Sequence, residues 1–498
     1  MTTGTRDDVR IQISEETENL GWLYKIIEEP GPRRTSKPLV QTVAQTLRGI
    51  SRNKTCFDPS VVSFGPYHRD KPHLKPMERY KEVTALWFIK PSDNPVKAIT
   101  REEAKQVYDE FVAKVPSVSS LRGCYTDKFV RTINDAEFMH MMFLDGCFML
   151  YFIRLFLDQS SDLLETSHLN RPLILRDMFL LENQIPYSVL VALKSLKPSL
   201  MPGRGDDWAA SFFKTVFLPP PPSVVSYSLP LVLTLLFLIC TFLPVLFIIF
   251  WIYCCLRIYC CRCSADSRSE EGTKLQTEPL HLLDLLRYEL TGKGVDHSVH
   301  GTGYWNYNFR PIGELKEEGI QVSVSNSESL SLNNIKLKKG WIDSYLELPR
   351  IVIDDSTKTR LLNLAAYEMC PDGSLGKAVI TSYICFLDSL IYNADDVKEL
   401  RSSNIMLNRL GSDEEVVNLV RELATNLSPD FKVYSDVIQG MEGHRKRQFN
   451  HVRLWISQFK RTHFTSPWTA ISLIAAISVI LLTLVQTIYS VLSYYKSK

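Results

Sequence analysis

Two carboxylates within apolar helical sequence, Asp145 and Glu182, are the strongest candidates for chemistry in this chain. A buried carboxylate either has a raised pKa or needs a partner, and both conditions can serve general acid–base catalysis, with His140 as a further group. The alternative is that each carboxylate bonds backbone groups inside the fold. Because Asn183 and Gln184 adjoin Glu182, we interpret Asp145, Glu182, Asn183 and Gln184 as a polar network within apolar helices.

Recognised catalytic motifs are absent from the sequence. It contains no phosphate-binding loop, no dinucleotide fingerprint, no kinase motif set, no G-x-S-x-G elbow and no H-E-x-x-H zinc motif. His68, His73 and Cys56 lack the spacing of a zinc site. We therefore predict a protein that is not an enzyme and uses no cofactor or metal. An enzyme with a dispersed active site is the alternative.

Cysteines are concentrated at one place in the chain. Of the eleven present, five crowd together beside an apolar run: Cys254, Cys255, Cys260, Cys261 and Cys263. Their C-C-x4-C-C-x-C spacing differs from the paired C-x-x-C clusters of structural zinc sites. Cysteines at the edge of an apolar segment are typical sites of S-palmitoylation. We predict that modification here, where it would hold the segment against a bilayer.

A basic and aromatic stretch, residues 444–464, precedes the last apolar run. Such a stretch could bind RNA. The adjoining apolar run and the small net charge of +2 favour instead a membrane-surface helix that faces anionic lipid, with no nucleic-acid partner. The cations of this predicted surface helix are Arg445, Lys446, Arg447, Arg453, Lys460 and Arg461.

The C-terminal apolar core, residues 470–492, is long enough to cross a bilayer as a helix. Trp468 and Tyr494 flank it as interface anchors. More Lys and Arg residues precede this core than follow it, so the positive-inside rule places the body of the protein in the cytosol. We predict a tail anchor in the plasma membrane or an endomembrane, with a short C-terminal tail across the membrane.

Another uncharged run lies in mid-chain, between Lys214 and Arg257, and opens with prolines at 219–222. It is too long for one simple span, and its flanks carry similar numbers of cations, which favours both ends on one side of a membrane. Three alternatives remain open. The run could be a membrane hairpin broken near Pro244, a surface-lying segment, or a translated stretch that the correct gene lacks.

The rest of the sequence predicts a mainly α fold: a single large helical domain with a minor β element of short strands. The stretch from Asp135 to Phe152 is apolar on nearly all sides and predicts a central core helix. Capping boxes predict helix starts at Thr100 and Ser412. Alternating β-branched residues over 335–353 predict two short strands joined by a turn.

These patterns divide the chain into six parts. The parts are a polar N-terminal tail (1–36), the first part of the helical domain (37–214), the apolar insertion with its Cys-rich linker (215–279), the second part of the helical domain (280–443), a basic amphipathic juxtamembrane segment (444–466) and the transmembrane anchor (467–495). The N-terminal tail has no apolar signal-peptide region, which agrees with a cytosolic body.

Several motifs, taken together and in order, resemble the plant family called Domain of Unknown Function 247. Before the insertion they are PSVVSFGPYH (59–68), LKPMERYK (74–81), EFMHMMFLDGCFML (137–150) and DMFLLENQIPYSVL (177–190). After it they are HLLDLLR (281–287), GELKEEGI (313–320), LELPRIVIDDSTKTRLLNLAAYE (346–368), TSYICFLDSLI (381–391) and NRLGSDEEVVNL (408–419). The resemblance covers nearly everything from about residue 40 onward, except roughly 200–279.

The resemblance implies a mostly helical cytosolic or surface domain with a C-terminal membrane helix. It implies no assigned enzyme activity and no established catalytic residues. Some grass members of that family are associated with self-incompatibility, as pollen-side recognition factors. The apolar run in mid-chain departs from the usual family pattern. We therefore expect a membrane-anchored recognition or scaffold protein whose helical body binds an unidentified protein partner.

Overall fold

The computed structural model describes most of the chain outside its two ends and its long mid-chain run. The described residues are 40–90, 99–158, 171–198, 208–218, 279–292, 310–325, 330–340, 344–370, 378–430, 432–446 and 467–496. All of these residues belong to one compact unit, and the second unit, Pro219–Glu278, lies outside them. The predicted hairpin, the surface-lying alternative and the cysteine cluster therefore fall outside the described residues.

Helices dominate the described residues, so the predicted mainly α class is confirmed. In chain order they are α1 (Gln45–Arg48), α2 (Lys75–Ile89), α3 (Arg101–Lys114), α4 (Val118–Arg122), α5 (Asp135–Asp158), α6 (Arg171–Asp177), α7 (Tyr187–Leu196), α8 (Trp208–Phe217), α9 (Leu282–Thr291), α10 (Ile312–Glu317), α11 (Thr357–Glu368), α12 (Val379–Leu390), α13 (Ala394–Ser402), α14 (Asp413–Ala424), α15 (Ser435–Lys446) and α16 (Pro467–Lys496).

Helix α5 is the centre of the first half of the body, as the apolar pattern predicts. It packs against α2, α7 and α8. Phe148 and Phe152, both fully buried, stack on one another along it. At Gly146 a side chain would overlap Leu193, so glycine lets α7 approach closely. The part Asp135–Leu157 is the one described helix with the length and composition to cross a membrane, but 72% of its apolar window is buried inside the protein.

The β element is larger than the sequence predicts. Strands β1 (Ile320–Val324), β2 (Lys336–Lys339) and β3 (Ser344–Leu348) form one sheet, in which β1 is parallel and β2 antiparallel to β3. Strands β4 (Ile351–Ile353) and β5 (Met406–Asn408) form a separate parallel pair. The predicted region, 335–353, contains β2, β3 and β4. Strands β1 and β5 lie outside it. Strand β5 has three residues, too few for an alternating pattern to be recognised, whereas β1 was missed although its apolar residues alternate.

Helix α9 joins the second half of the chain to the first. His281 caps it, since the ring Nδ1 accepts a hydrogen bond of 3.1 Å from the Asp284 N–H. The Leu280 carbonyl accepts the N–H of Tyr187 at 2.7 Å, and α9 also packs against α8. The two chain segments that flank the mid-chain run therefore meet directly. Helix α8 continues to Phe217, past the domain boundary predicted at 214.

Helix α16 is long and exposes its apolar side chains. Among them Leu482 is 68% exposed and Tyr489 is 72% exposed. The apolar stretch recognised within it, Ala475–Tyr489, is shorter than the roughly 20 residues that a bilayer core requires. The predicted transmembrane anchor therefore stays a prediction. Of the predicted surface helix at 444–466, only the first residues are described, as the end of α15.

The cap of α9 generates a prediction about acid stability. Burial lowers the pKa of His281 to about 4, against 6.5 for an ordinary histidine. Between these values the unfolded chain binds a proton that the folded chain does not, so the free energy of unfolding falls as pH drops from 6.5 to 4, by about 3 kcal/mol. His281→Asn keeps a capping oxygen and removes the titrating ring, which should flatten this dependence.

Urea unfolding of the full chain in detergent micelles, at intervals from pH 7 to pH 4, measures the effect. His140→Asn, a change at an exposed histidine, is the matched control and should keep the wild-type slope. An unchanged slope in His281→Asn would contradict the assignment of this proton to His281.

Candidate functional site

The 59–65 segment (PSVVSFG) crosses the body as neither helix nor strand, and much of it is buried. Irregular buried backbone must find hydrogen-bond partners outside a regular ladder. The carboxylate of Asp177, at the end of α6, supplies three of them. It accepts the N–H groups of Ser60, Val61 and Val62 at 2.9, 2.7 and 3.1 Å. Burial outweighs these bonds, and the pKa of Asp177 is raised.

Asn183 bonds the same segment from the loop that follows α6. Its Oδ1 accepts the Phe64 N–H at 2.7 Å. Its Nδ2 donates to the carbonyls of Val62 and Asp177 at 3.0 and 2.9 Å. The amide is fully buried and uses both of its ends. Asn183 therefore ties the 59–65 segment to α6.

Gln184 fixes the loop after α6 to the second half of the chain. Its Nε2 donates to the carbonyls of Met178 and Leu180, both at 2.8 Å. Its Oε1 accepts the Leu283 N–H at 3.2 Å, at the start of α9. Asn363, on α11, acts in the same way, because its Oδ1 accepts the Leu181 N–H at 2.8 Å. Neither side chain is placed to react with a ligand.

Asp145 lies on α5 in a buried ion pair. One carboxylate oxygen accepts the Gly65 N–H at 2.7 Å and the other lies 2.7 Å from Lys81 Nζ. Both side chains are 2% exposed. Lys81 also contacts Glu78 at 2.8 Å and Ser63 Oγ at 3.3 Å. Burial raises the pKa of Asp145 despite the neighbouring ammonium. Both oxygens are in use, which favours the structural interpretation of this residue over proton transfer.

Gly65 is required where the segment turns. Its φ of +68° lies in the left-handed region, which side chains disfavour. A Cβ there would lie 2.5 Å from the carbonyl oxygen of Gln184, which itself accepts the Tyr125 hydroxyl at 3.1 Å. Glycine therefore allows the segment to approach the loop after α6.

Glu182 bonds both backbone and cations. Its Oε1 accepts the Val43 N–H at 2.7 Å, and its Oε2 lies 2.7 Å from Arg48 Nη2. The Nε2 of His68 lies 3.3 Å from the same Oε2. Burial would raise the pKa of Glu182, but the contacts with His68, Val43 and Arg48 outweigh it and lower the pKa.

Asp58 completes this group at the surface. Arg48 Nη1 lies 3.2 Å from its Oδ2, and Lys71 Nζ lies 2.9 Å from its Oδ1. Partial burial would raise the pKa of Asp58, but the hydrogen bonds and charges of Lys71 and Arg48 together outweigh it and lower the pKa. One ligand-type atom from each of Asp58, His68 and Glu182 lies within 4.8 Å of the others. We call these three residues the Asp58–His68–Glu182 cluster.

The structure brings some of the predicted residues together and separates others. Glu182, Asn183 and Gln184 lie in one loop, and Asp145 reaches the same 59–65 segment from α5. His140 is exposed whereas Asp145 is buried, so the dispersed acid–base set does not assemble around these two residues. Cys254, Cys255, Cys260, Cys261 and Cys263 lie outside the described residues, as do Arg447, Arg453, Lys460 and Arg461. Arg445 and Lys446 end α15.

Sequence reasoning missed several members of this network. Asp177 and Asn363 interrupt apolar sequence in the same way as Asp145, and that interruption was the available signal, whereas Lys81 stands among the charged residues of MERYKEV and carried none. Asp58 and His68 carried no such signal. They lie in a proline-rich stretch, where polar residues are ordinary, and their partner Glu182 is far away in the chain.

The ion pair on α5 generates a prediction about stability. Asp145→Asn leaves the buried Lys81 ammonium without its closest partner, and removing one member of a buried pair costs about 3 kcal/mol or more of unfolding free energy. Urea unfolding measures this loss. Adding Lys81→Met should recover part of it, because the unpaired charge is then gone.

Glu137→Gln, on the same helix, is the matched control. Its carboxylate is 52% exposed and pairs with Arg69 at 2.8 Å, so its loss should cost less than about 1 kcal/mol. A cost for Asp145→Asn no larger than that of Glu137→Gln would show that the buried pair does not stabilise the body.

Comparison with known proteins agrees with the motif order. Residues 40–482 match the family DUF247, described as "Plant protein of unknown function". The UPF0481 protein At3g47200 of Arabidopsis thaliana is 28% identical over 90% of this chain and 86% of its own length. The Putative UPF0481 protein At3g02645 of the same plant is 21% identical over 88% of each. No solved structure matches the chain. The chain belongs to the plant family DUF247.

Proposed function

We propose that this protein is a membrane-anchored recognition or scaffold protein without enzymatic activity. One observation carries the proposal: the two carboxylates that the sequence offered for catalysis, and the two amides beside Glu182, are bonded within the fold. Asp145, Asn183 and Gln184 each hold backbone groups, and Glu182 holds Val43 and Arg48. A body stabilised in this way presents a rigid surface, which suits recognition of another protein.

Helix α16 supports the anchor. The whole helix has 30 residues and is about 45 Å long, which exceeds the thickness of a bilayer core, although the apolar stretch recognised within it, Ala475–Tyr489, is shorter. Its described apolar side chains between Ile471 and Tyr489 are nearly all exposed. Water solvates such a surface poorly, whereas lipid covers it without cost. The cations that precede α16 then face the cytosol. S-palmitoylation of the cysteine cluster would add a second attachment.

The anchor is tested by protease protection in sealed microsomes. Tags near residue 30, near residue 275 and at the C-terminus report three positions. We expect protease added outside to remove the first two and to spare the C-terminal tag until detergent opens the vesicles. A C-terminal tag removed from sealed vesicles would overturn the anchor. Tags at 30 and 275 on opposite sides would overturn the single cytosolic body.

The recognition role is tested against the enzyme alternative with Asp145→Asn and Glu182→Gln. Cross-linking of the full chain in plant membranes should give one saturable protein partner. We expect each substitution to lower the melting temperature. The yield of cross-linked product should then follow the fraction of folded protein, and it should recover when the sample is cooled. Glu137→Gln should behave as wild type. A variant that folds and cross-links as wild type, yet fails to restore function in a plant lacking the gene, would favour catalysis.

A further inference from the structure

His68 is the unexplained residue of the Asp58–His68–Glu182 cluster. Its side chain is only 5% exposed, so the ring nitrogens have little access to solvent water. Within the part of the chain that the structure describes, neither ring nitrogen makes a hydrogen bond of good geometry. Such a buried polar group costs free energy unless another ligand satisfies it. The imidazole nonetheless lies between two carboxylates, with Nε2 3.3 Å from Glu182 and Nδ1 4.0 Å from Asp58.

We propose that the cluster binds a divalent transition-metal ion, with Zn²⁺ as the ion that its ligands fit best. One imidazole nitrogen and two carboxylate oxygens make three protein ligands, the number found in zinc sites that keep a position open for water, and both ligand types bind zinc in proteins. Tetrahedral zinc bonds place ligand atoms roughly 3.3 Å apart, which is already the separation of His68 and Glu182. All three ligand atoms lie within 4.8 Å of one another, so the partly exposed Asp58 needs to move inward by at most about 1.5 Å to reach this spacing.

The chain holds two of the ligands in place without the metal. The Val43 N–H orients the Glu182 carboxylate through Oε1 and leaves Oε2 directed at His68. Asp58 and His68 flank the 59–65 segment, which Asp177, Asn183 and Asp145 bind along its length. Asp58 is 39% exposed, so it has room to move and leaves a path for the ion. Ligands oriented by neighbouring groups in this way bind metal more tightly.

Arg48 and Lys71 occupy the carboxylates in the metal-free cluster. Together they carry two positive charges against the two negative charges of Asp58 and Glu182. A divalent ion supplies the same charge, so exchange leaves the cluster neutral. Both cations are partly exposed and can turn to solvent. The metal and the Arg48 guanidinium compete for Glu182 Oε2. Metal binding at the cluster therefore displaces a protein cation from this carboxylate.

The test measures zinc binding by the full chain in detergent micelles. All variants carry Ser at Cys254, Cys255, Cys260, Cys261 and Cys263, because thiolates bind zinc independently of the cluster. Chelator-treated protein is dialysed against zinc chloride, the metal is counted by mass spectrometry, and affinity is obtained by competition with a chelating dye. We expect one zinc ion per chain and a rise in melting temperature when zinc is added.

Four variants separate the proposal from chance binding. Asp58→Asn and His68→Gln should each lower zinc affinity about tenfold or more, whereas Arg48→Gln should raise it several-fold. His140→Gln, at an exposed histidine, should change nothing.

Circular dichroism without zinc identifies any variant that fails to fold. If His68→Gln does not fold, Asp58→Asn and Arg48→Gln decide the outcome, because Asp58 is partly exposed and its substitution should leave the fold intact. The metal site would be overturned if zinc binding does not saturate, or if Asp58→Asn binds zinc with unchanged affinity. The competition between Arg48 and the metal would be overturned if Arg48→Gln binds zinc with unchanged or weaker affinity.

Discussion

Three consecutive N–H groups, of Ser60, Val61 and Val62, converge on the carboxylate of Asp177, and the body of this protein depends on that contact. A chain that crosses a helical core as an irregular segment brings backbone polar groups where water cannot reach them. Each one left without a partner would cost about 1–3 kcal/mol. A single carboxylate with several lone pairs satisfies three at once, which a neutral side chain cannot do.

The same requirement explains why the neighbouring polar side chains each bond to two segments. Asn183 joins the 59–65 segment to α6, and Gln184 joins the loop after α6 to α9. Polar networks of this kind are stabilising when every member is satisfied and costly when one is lost. The buried polar side chains of the loop after α6 therefore satisfy backbone groups that the fold would otherwise leave without a hydrogen bond.

Local patterns predicted the parts of the fold that local forces decide. The capping box at Thr100 and Glu103 is present with both of its hydrogen bonds. At Ser412 the hydroxyl accepts the Glu415 N–H, but the Glu415 carboxylate bonds the N–H of Gly411. Helix α5 was recognisable because its apolar pattern is long. These features depend on residues within a few positions of one another.

Features that depend on distant partners were not predictable in this way. The Asp58–His68–Glu182 cluster joins positions more than a hundred residues apart, and no periodicity marks them. Asn363 meets Leu181 across a similar distance. The short strand β5 has no pattern of its own, and it pairs in parallel with β4, which lies about fifty residues earlier in the chain. A single sequence carries little information about such pairings.

The contact between α8 and α9 has a consequence for how this gene can change. The described residues on either side of the 219–278 run belong to two helices that already touch, α8, which ends at Phe217, and α9, which His281 caps. The entropy of closing a loop rises only slowly with its length, by roughly 0.6 kcal/mol for each doubling. Evolution can therefore lengthen, shorten or replace the residues between these helices while the body keeps nearly the same stability.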